Sequence, residues 1–450
     1  MTRDMTTGNP AKLIIFFSIP LLLGNIFQQL YSMADTIIVG NTIGVTALAA
    51  VGATGGLSFL VLGFVMGMTG GFAVITAQRF GAGDMDSMRH SVAVSIELCI
   101  AMTILLTAVS VATARPLLEF MNTPEDILED SYAYIVVIYV GIFASVFYNM
   151  ISSILRALGD SRTPLYFLIL SSLLNIGLDL ILILNFKMGV AGAAYATVAS
   201  QVVSGLLCLV YISKKFPVLH LKKEDWRLDL SFMMIHLKIG LPMALQFSIT
   251  AIGVVILQTA LNNFGSTYVA AYTAASKVEQ LATQPLSTFG TAIATYSAQN
   301  LGAGKYQRIR EGVRKCSLIS LVVCVVGAIL VITCGHFMVR LFMSEYQADV
   351  MEAAQQYLVI VAIFFPPLGI LFIHRNALQG IGDGFWPMMA GAVELVMRAF
   401  GAVAFANLWG YAGVCVSNPV AWTAAMLLLA FRYFPTIKRL VIRAESGNAF

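Results

Sequence analysis

The chain repeats itself at an interval of 221 to 223 residues. QRFGAGD at 78–84 recurs as QNLGAGK at 299–305, and GVTALAA beginning at Gly44 recurs as GSTYVAA beginning at Gly265. Four further pairs keep the same order along the chain: Pro20 with Pro242, Gly159 with Gly382, Pro164 with Pro387, and GVAG at 189–192 with GYAG at 410–413. Landmarks that keep one order and one interval predict two homologous halves.

Hydrophobic residues make up 58% of the chain and charged residues only 11%, against about a quarter charged in soluble domains. Twelve apolar runs are long enough to cross the hydrocarbon core of a bilayer. They lie near 11–35, 51–78, 91–113, 131–155, 164–185, 189–212, 237–262, 267–298, 316–340, 352–377, 386–408 and 411–434. The sequence predicts an all-α integral membrane protein with twelve transmembrane helices in two pseudo-symmetric six-helix lobes.

The predicted lobes are residues 1–212 and 237–450, the second with a cytoplasmic tail. Residues 213–236 are polar and basic, so we expect them to form a cytoplasmic linker on the inner membrane surface. Most Lys and Arg residues fall on the inner side if both termini are cytoplasmic, which is the preferred orientation in a cell membrane. The net charge of +4 then reflects topology, and no nucleic-acid partner is expected.

Motifs for enzymatic chemistry are not found in the sequence. The six cysteines and five histidines have no metal-ligand spacing, and no GxxxxGK[ST] phosphate loop occurs. We therefore expect neither catalysis nor a cofactor, and energy from an ion gradient instead of ATP. Paired halves of this kind are a common architecture of secondary transporters.

Five carboxylates lie within the predicted spans, where a charge is costly and commonly functional. They are Asp35, Glu97, Asp179, Glu279 and Glu394. Glu394 stands four residues before Arg398, the spacing of a helical ion pair, which favours a structural role. Glu97 lies near the inner surface and can snorkel, whereas for Glu279 a cavity role and a packing role both stay open.

Two of these acids are predicted to share one depth in the outer half of the membrane with two other polar residues. Helix rise places Asp35, Asp179 and Thr197 at similar heights, and Asn175 is one turn from Asp179 on the same face. An all-oxygen cluster suits a hard cation such as Na⁺, and two adjacent acids suit proton uptake. The alternative is that Asn175 and Thr197 only satisfy helix backbones.

The second half does not copy this set. At the repeat interval, the counterparts are Leu257 for Asp35, Arg398 for Asn175, Ala402 for Asp179 and Asn418 for Thr197. The asymmetry predicts that the first half handles the ion.

The sequence resembles the multidrug and toxic compound extrusion (MATE) family over nearly its whole length. The motifs are FSIPLLLGNIFQQLYSMADTIIVG at 17–40, the two GAG repeats, RALGD at 156–160 and NIGLD at 175–179. The resemblance implies two six-helix bundles around a central cavity and export of organic cations in antiport with H⁺ or Na⁺. It also implies a cation site of Asp35, Asn175, Asp179 and Thr197, with Pro20 as a conformational hinge.

Some MATE members carry a second acidic site on the seventh and tenth helices, where this chain has Gln246, Thr250 and Leu368. The resemblance further points Gln28, Tyr31, Tyr139 and Asn149 into the substrate cavity, although each would also serve as interhelical packing. We expect small organic, cationic substrates and a monomer in the lipid bilayer. The alternative function is a flippase for lipid-linked oligosaccharides, which would require several cavity arginines; a channel or receptor is disfavoured by the paired halves.

Overall fold

A computed structural model of the protein describes residues 4–121, 123–341 and 347–445. The described residues form α-helices joined by short turns. The helices are α1 (Pro10–Thr42), α2 (Val45–Ala53), α3 (Gly55–Gly81), α4 (Met85–Phe120), α5 (Glu125–Val140), α6 (Ile142–Ala157), α7 (Arg162–Leu180), α8 (Gly189–Lys215), α9 (Leu230–Asn262), α10 (Ser266–Gly302), α11 (Tyr306–Arg340), α12 (Ala348–Ile363), α13 (Phe365–Gly380), α14 (Phe385–Trp409) and α15 (Tyr411–Glu445).

Nine helices of the described part of the chain are long and apolar enough to cross a membrane, and eleven spans result if each of two bent pairs counts as one. The bent pairs are α5 with α6, at 47°, and α12 with α13, at 53°. The remaining predicted span, 267–298, corresponds to α10, which is 37 residues long and is not counted among these spans. The all-α membrane fold predicted from sequence is therefore confirmed.

The internal repeat is also present in the backbone. Glycines with positive φ recur in pairs at the repeat interval: Gly44 with Gly265, Gly83 with Gly304, Gly159 with Gly382 and Gly189 with Gly410. These dihedrals are open to glycine and strained for other residues. The bends of the two paired helices also correspond, because Gly141 and Phe364 are 223 residues apart. The repeat thus fixes where each half turns.

The chain separates into two compact units whose boundaries fall inside two helices. The first unit contains Ile19–Ala244, and the second contains Met5–Ser18 together with the chain from Leu245 onward. Helices α1 and α9 each begin in one unit and end in the other. Each has an internal proline close to the boundary, Pro20 in α1 and Pro242 in α9.

The segment predicted as a linker, 213–236, packs within the first unit. It contains two short 3₁₀ turns and is anchored on α4: His90 Nδ1 lies 2.8 Å from the Asp225 carbonyl oxygen, and Ser91 Oγ lies 2.8 Å from His236 Nε2. His236 and Asp225 are buried. Polar residues can be buried here because each finds a hydrogen-bond partner. Its role as a joint between lobes of residues 1–212 and 237–450 stays a prediction, and residues 1–3 and 446–450 lie outside the described part.

The N-terminal strap, residues 5–9, is held in the second unit by the second GAG repeat. The Met5 backbone N–H donates to Gln299 Oε1 at 2.9 Å, and Asn300 Nδ2 donates to the Met5 carbonyl oxygen at 3.1 Å. Lys305 Nζ donates to the Thr6 carbonyl oxygen at 2.9 Å. The strap therefore fixes the start of α1 on the unit opposite to the one that holds its end.

Candidate cation site in the first unit

Three helices of the first unit bring the four predicted cation ligands together. Asp35 is contributed by α1, Asn175 and Asp179 by α7, and Thr197 by α8. Asn175 Nδ2 donates to Thr197 Oγ1 at 3.2 Å, and the carboxylates of Asp35 and Asp179 lie within hydrogen-bonding reach of each other. The geometry matches the depths expected from sequence, and the role of these residues as cation ligands stays a prediction.

The cluster has more acceptors than donors. Asp35 Oδ1, Asn175 Oδ1 and both carboxylate oxygens of Asp179 are buried, and no donor from the described residues satisfies them. Asn175 and Asp179 are 1% and 0% exposed. Thr197 Oγ1 donates to the Ala193 carbonyl oxygen at 3.1 Å, as the backbone-satisfying alternative expects, but that alternative leaves the oxygen of Asn175 unexplained.

Unsatisfied buried oxygens are costly, and two carboxylates in contact repel strongly in a low-dielectric setting. A proton shared between the acids, or a cation placed among the oxygens, would relieve both costs. The ligand set is made of oxygens only, which suits a hard cation.

The predicted cavity residues occupy different environments. The Tyr31 side chain reaches Thr197 and joins the cluster, and Gln28 is exposed nearly one helical turn earlier on α1. Tyr139 is 1% exposed and lies in the hydrophobic core of the first unit. Asn149 Nδ2 donates to the Ser145 carbonyl oxygen at 2.8 Å. The structure thus brings Tyr31 to the cluster but not Tyr139.

Sequence reasoning missed Tyr134 on α5, whose side chain lies within electrostatic range of Asp35, Tyr31 and Asp179. The available signal was the repeat, since its counterpart at the repeat interval, Tyr357, is also a tyrosine. Also unforeseen is a π-helical turn at Ile181–Asn185, immediately after Asp179. Such turns are rare and concentrate at functional sites.

In the second unit, the predicted pair of Glu394 and Arg398 is confirmed at 3.2 Å. Glu394 also accepts from Arg375 of α13, an intramembrane arginine that the sequence analysis did not recognise. Glu279 accepts a hydrogen bond from the Tyr357 hydroxyl. The sequence around Glu279, including the nearby Lys277, did not predict this contact.

The positions where some MATE members place a second acidic site are neutral here. Gln379 Nε2 donates to Gln246 Oε1 at 2.9 Å, and Thr250 donates to the Gln246 carbonyl oxygen at 2.9 Å. Leu368 is 5% exposed. These three side chains offer no carboxylate to an ion.

Comparisons with known proteins match both halves of the chain. The sequence profile of the MatE family matches residues 20–181 and 242–403, one match in each half. The chain is 29% identical to the probable multidrug resistance protein YpnP of Bacillus subtilis over 435 residues, 96% of each chain. It is 27% identical to the probable multidrug resistance protein YoeA of the same organism, over 95% of this chain and 94% of that protein.

Among solved structures, a MOP superfamily transporter from Pyrococcus furiosus, reported to have a binding pocket of reverse polarity, superposes with a TM-score of 0.91. The two sequences are 25% identical, and the similarity covers 97% of this chain and 98% of that one. An outward-facing MATE family multidrug transporter is also similar, with a TM-score of 0.90 and 25% identity over 98% of both chains.

Proposed function

The chain belongs to the MATE family of multi-pass membrane transporters, and we propose that it exports small organic cations in exchange for inward H⁺ or Na⁺. The observation that carries the proposal is the buried cluster of Asp35, Asn175, Asp179 and Thr197, with its excess of oxygen acceptors. Similarity to the two multidrug resistance proteins of Bacillus subtilis supports the class of substrate.

The coupling requires an ion to stabilise one facing of the protein more than the other. Asp35 lies on α1, the helix that begins in the second unit and continues into the first through Pro20. Proline removes one helix hydrogen bond, so α1 can change its bend there at modest cost. Loading the cluster would favour one bend, and an entering cation gains about 2.3 kcal/mol per 100 mV of membrane potential.

With both termini in the cytoplasm, as the basic residues favour, the cluster faces the outer half of the membrane and loads from outside. Tyr31 at the cluster would offer an aromatic face to a cationic substrate, and Gln28, which precedes it on α1, would offer an amide. A monomer suffices, because all four ligands come from one unit.

The test is ion-driven transport in proteoliposomes that contain the purified protein. A cationic dye is supplied under an imposed Na⁺ gradient and, in separate vesicles, under an imposed pH gradient. The proposal expects dye movement against its own gradient with at least one ion and loss of that movement in Asp179→Asn protein. Equal dye movement with and without both gradients would refute it.

A second candidate is transport of an anionic substrate, which includes the lipid-linked oligosaccharide alternative. It is favoured by Arg375 and Arg398 within the spans of the second unit and by the reverse pocket polarity reported for the Pyrococcus furiosus transporter. It is weakened because both arginines bind Glu394. An anionic dye in the same vesicles separates the candidates: faster gradient-driven movement of the anion would favour the second.

A further inference from the structure

The second unit contains a polar cluster at positions equivalent to the cation site of the first. At the repeat interval, Arg398 and Asn418 stand where Asn175 and Thr197 stand, and Tyr357 stands where Tyr134 stands. Arg398 Nε donates to Asn418 Oδ1 at 2.8 Å, just as Asn175 donates to Thr197 in the first unit. The same pair of positions is therefore bonded in both units, with different chemistry.

The equivalent positions that changed make room for the arginine. Gly253 replaces Tyr31, and a side-chain Cβ placed on Gly253 would lie 2.9 Å from Arg398 Nη1. Leu257 and Ala402 replace the acids Asp35 and Asp179. The second unit has thus lost the acid pair and one large side chain, and a guanidinium occupies the space.

Two carboxylates lie near this guanidinium, one on its own helix α14 and one on α10. Arg398 Nη2 donates to Glu394 Oε2 at 3.2 Å, and Glu279 of α10 lies within electrostatic range of Arg398. Arg398 is 7% exposed, and its Nη1 has no acceptor from the described residues. With Arg375 bound to Glu394, the cluster holds two bases and two acids, so its formal charge is balanced.

We propose that the Arg398 guanidinium is a permanent, tethered cation that fills the second unit's equivalent of the ion site. A mobile ion in the first unit must arrive and leave, whereas Arg398 stays, because arginine is not deprotonated in proteins. Without Arg398, the cluster would keep one base, Arg375 on Glu394, for the two acids Glu279 and Glu394, and it would carry an excess negative charge. That charge would create a site for a free monovalent cation in the second unit.

The inference rests on the proposed function in one respect, because a filled site in the second unit means that the coupling ion binds in the first unit. The test of the inference is independent of transport, because it measures protein stability. An arginine kept only for packing is the competing explanation. If Arg398 serves only for packing, Arg398→Ala should lower the stability of the protein. Neither a small cation nor a change of charge elsewhere in the cluster should then restore it.

The test is chemical rescue of Arg398→Ala. Unfolding temperatures of purified full-length protein in detergent are measured with guanidinium chloride up to about 50 mM, with potassium chloride at equal concentration to match screening. Guanidinium should restore a few degrees of unfolding temperature to Arg398→Ala in a saturable manner, because a ligand that binds only the folded state stabilises it by mass action. Wild-type protein, whose site is filled, should show no such rise.

A second variant tests the charge balance. Arg398→Ala/Glu279→Gln keeps one base and one acid, so it should unfold at a higher temperature than Arg398→Ala and should not respond to guanidinium. Each variant is repeated in an Asp179→Asn background, where rescue cannot come from the acid pair of the first unit. Failure of the proposed function would therefore leave this result intact.

Two outcomes would overturn the inference. One is an equal guanidinium response in wild-type and Arg398→Ala protein, and the other is an Arg398→Ala/Glu279→Gln protein less stable than Arg398→Ala. If Arg398→Ala cannot be purified, the folded fraction of both variants is measured in unpurified membranes by fluorescence-detected size exclusion. A larger folded fraction for the double variant supports the tethered cation, and equal losses overturn it.

Discussion

Asp179→Asn should make the protein more stable while it abolishes coupling. The substitution keeps the shape of the side chain and removes one of two carboxylates that lie within hydrogen-bonding reach. Asp179 is 0% exposed, and both of its oxygens lack donors from the described residues. An amide in this place would also supply an N–H donor to Asp35, so the unfavourable arrangement of the empty site would disappear.

The magnitude follows from Coulomb's law. Two unit charges about 4 Å apart interact with about 4 kcal/mol at an effective dielectric constant near 20. The same interaction attracts a cation to each carboxylate, so removing one acid should weaken cation binding by about 3 kcal/mol after part of the gain is lost to desolvation. Since about 1.4 kcal/mol corresponds to a factor of ten, the affinity should fall by roughly 100-fold.

The assay combines two measurements on one preparation. Unfolding temperature is recorded in potassium buffer at alkaline pH, where the cluster is neither protonated nor supplied with Na⁺, and then across a Na⁺ titration and a pH titration. Asp179→Asn should begin higher than wild type and respond to neither ion. Glu97→Gln, which removes an intramembrane carboxylate of the same unit outside the cluster, is the matched control and should keep the wild-type response. An Asp179→Asn protein that unfolds at a lower temperature and still stabilises with the ion would refute the reasoning.

Four further substitutions have defined outcomes. Gly67→Ala should cost about 1–3 kcal/mol of folding free energy, because its Cβ would lie 2.5 Å from the backbone of α9, whereas Gly70→Ala, whose nearest neighbour would be 3.7 Å away, should be close to neutral in thermal unfolding. Tyr134→Phe should weaken ion-induced stabilisation several-fold without changing the unfolding temperature of the ion-free protein, and an unchanged ion titration would count against its place at the site. Asp84→Ala should cost about 1 kcal/mol of folding free energy, because Asp84 caps α4 through a 3.0 Å hydrogen bond from the Ser87 backbone N–H. Hydrogen bonding by Ser87 lowers the pKa of Asp84, so the stabilisation by this cap is present above the usual aspartate pKa and is lost as pH falls through the lowered value. Comparing the unfolding of wild type and variant at pH 7 and below pH 3 tests this expectation.

Much of the fold was predictable because hydropathy and repetition are strong signals. Apolar runs of sufficient length predict spans, and recurring glycines predict turns, since Gly83 and Gly304 adopt the positive φ that other residues avoid. The bends between α5 and α6 and between α12 and α13 were not predicted, because both parts of each pair are apolar. The two prolines after Phe364 were the available signal in the second pair.

The candidate site was predictable where burial makes a residue costly. Asp35 and Asp179 are conspicuous because a carboxylate in the hydrocarbon region is expensive, and helix rise was enough to place them at one depth. Tyr134 and Arg375 were missed for opposite reasons. A tyrosine is unremarkable in an apolar helix, and Arg375 lies near the C-terminal end of α13, where a basic residue is expected at the membrane surface. Its contact with Glu394 joins two successive helices, and the pattern within a single helix does not encode such a contact.

The crossing of α1 and α9 between units has a consequence for any attempt to divide the chain. A cut within 213–236 would produce two fragments. Each would carry the start of a helix, α1 or α9, that packs in the unit formed mainly by the other fragment. The first fragment would present Met5–Ser18 without the surface that binds it, and the second would lose the contacts of Leu230–Ala244. We therefore expect neither fragment to fold on its own. Co-expressed fragments should reassemble by exchanging these arms.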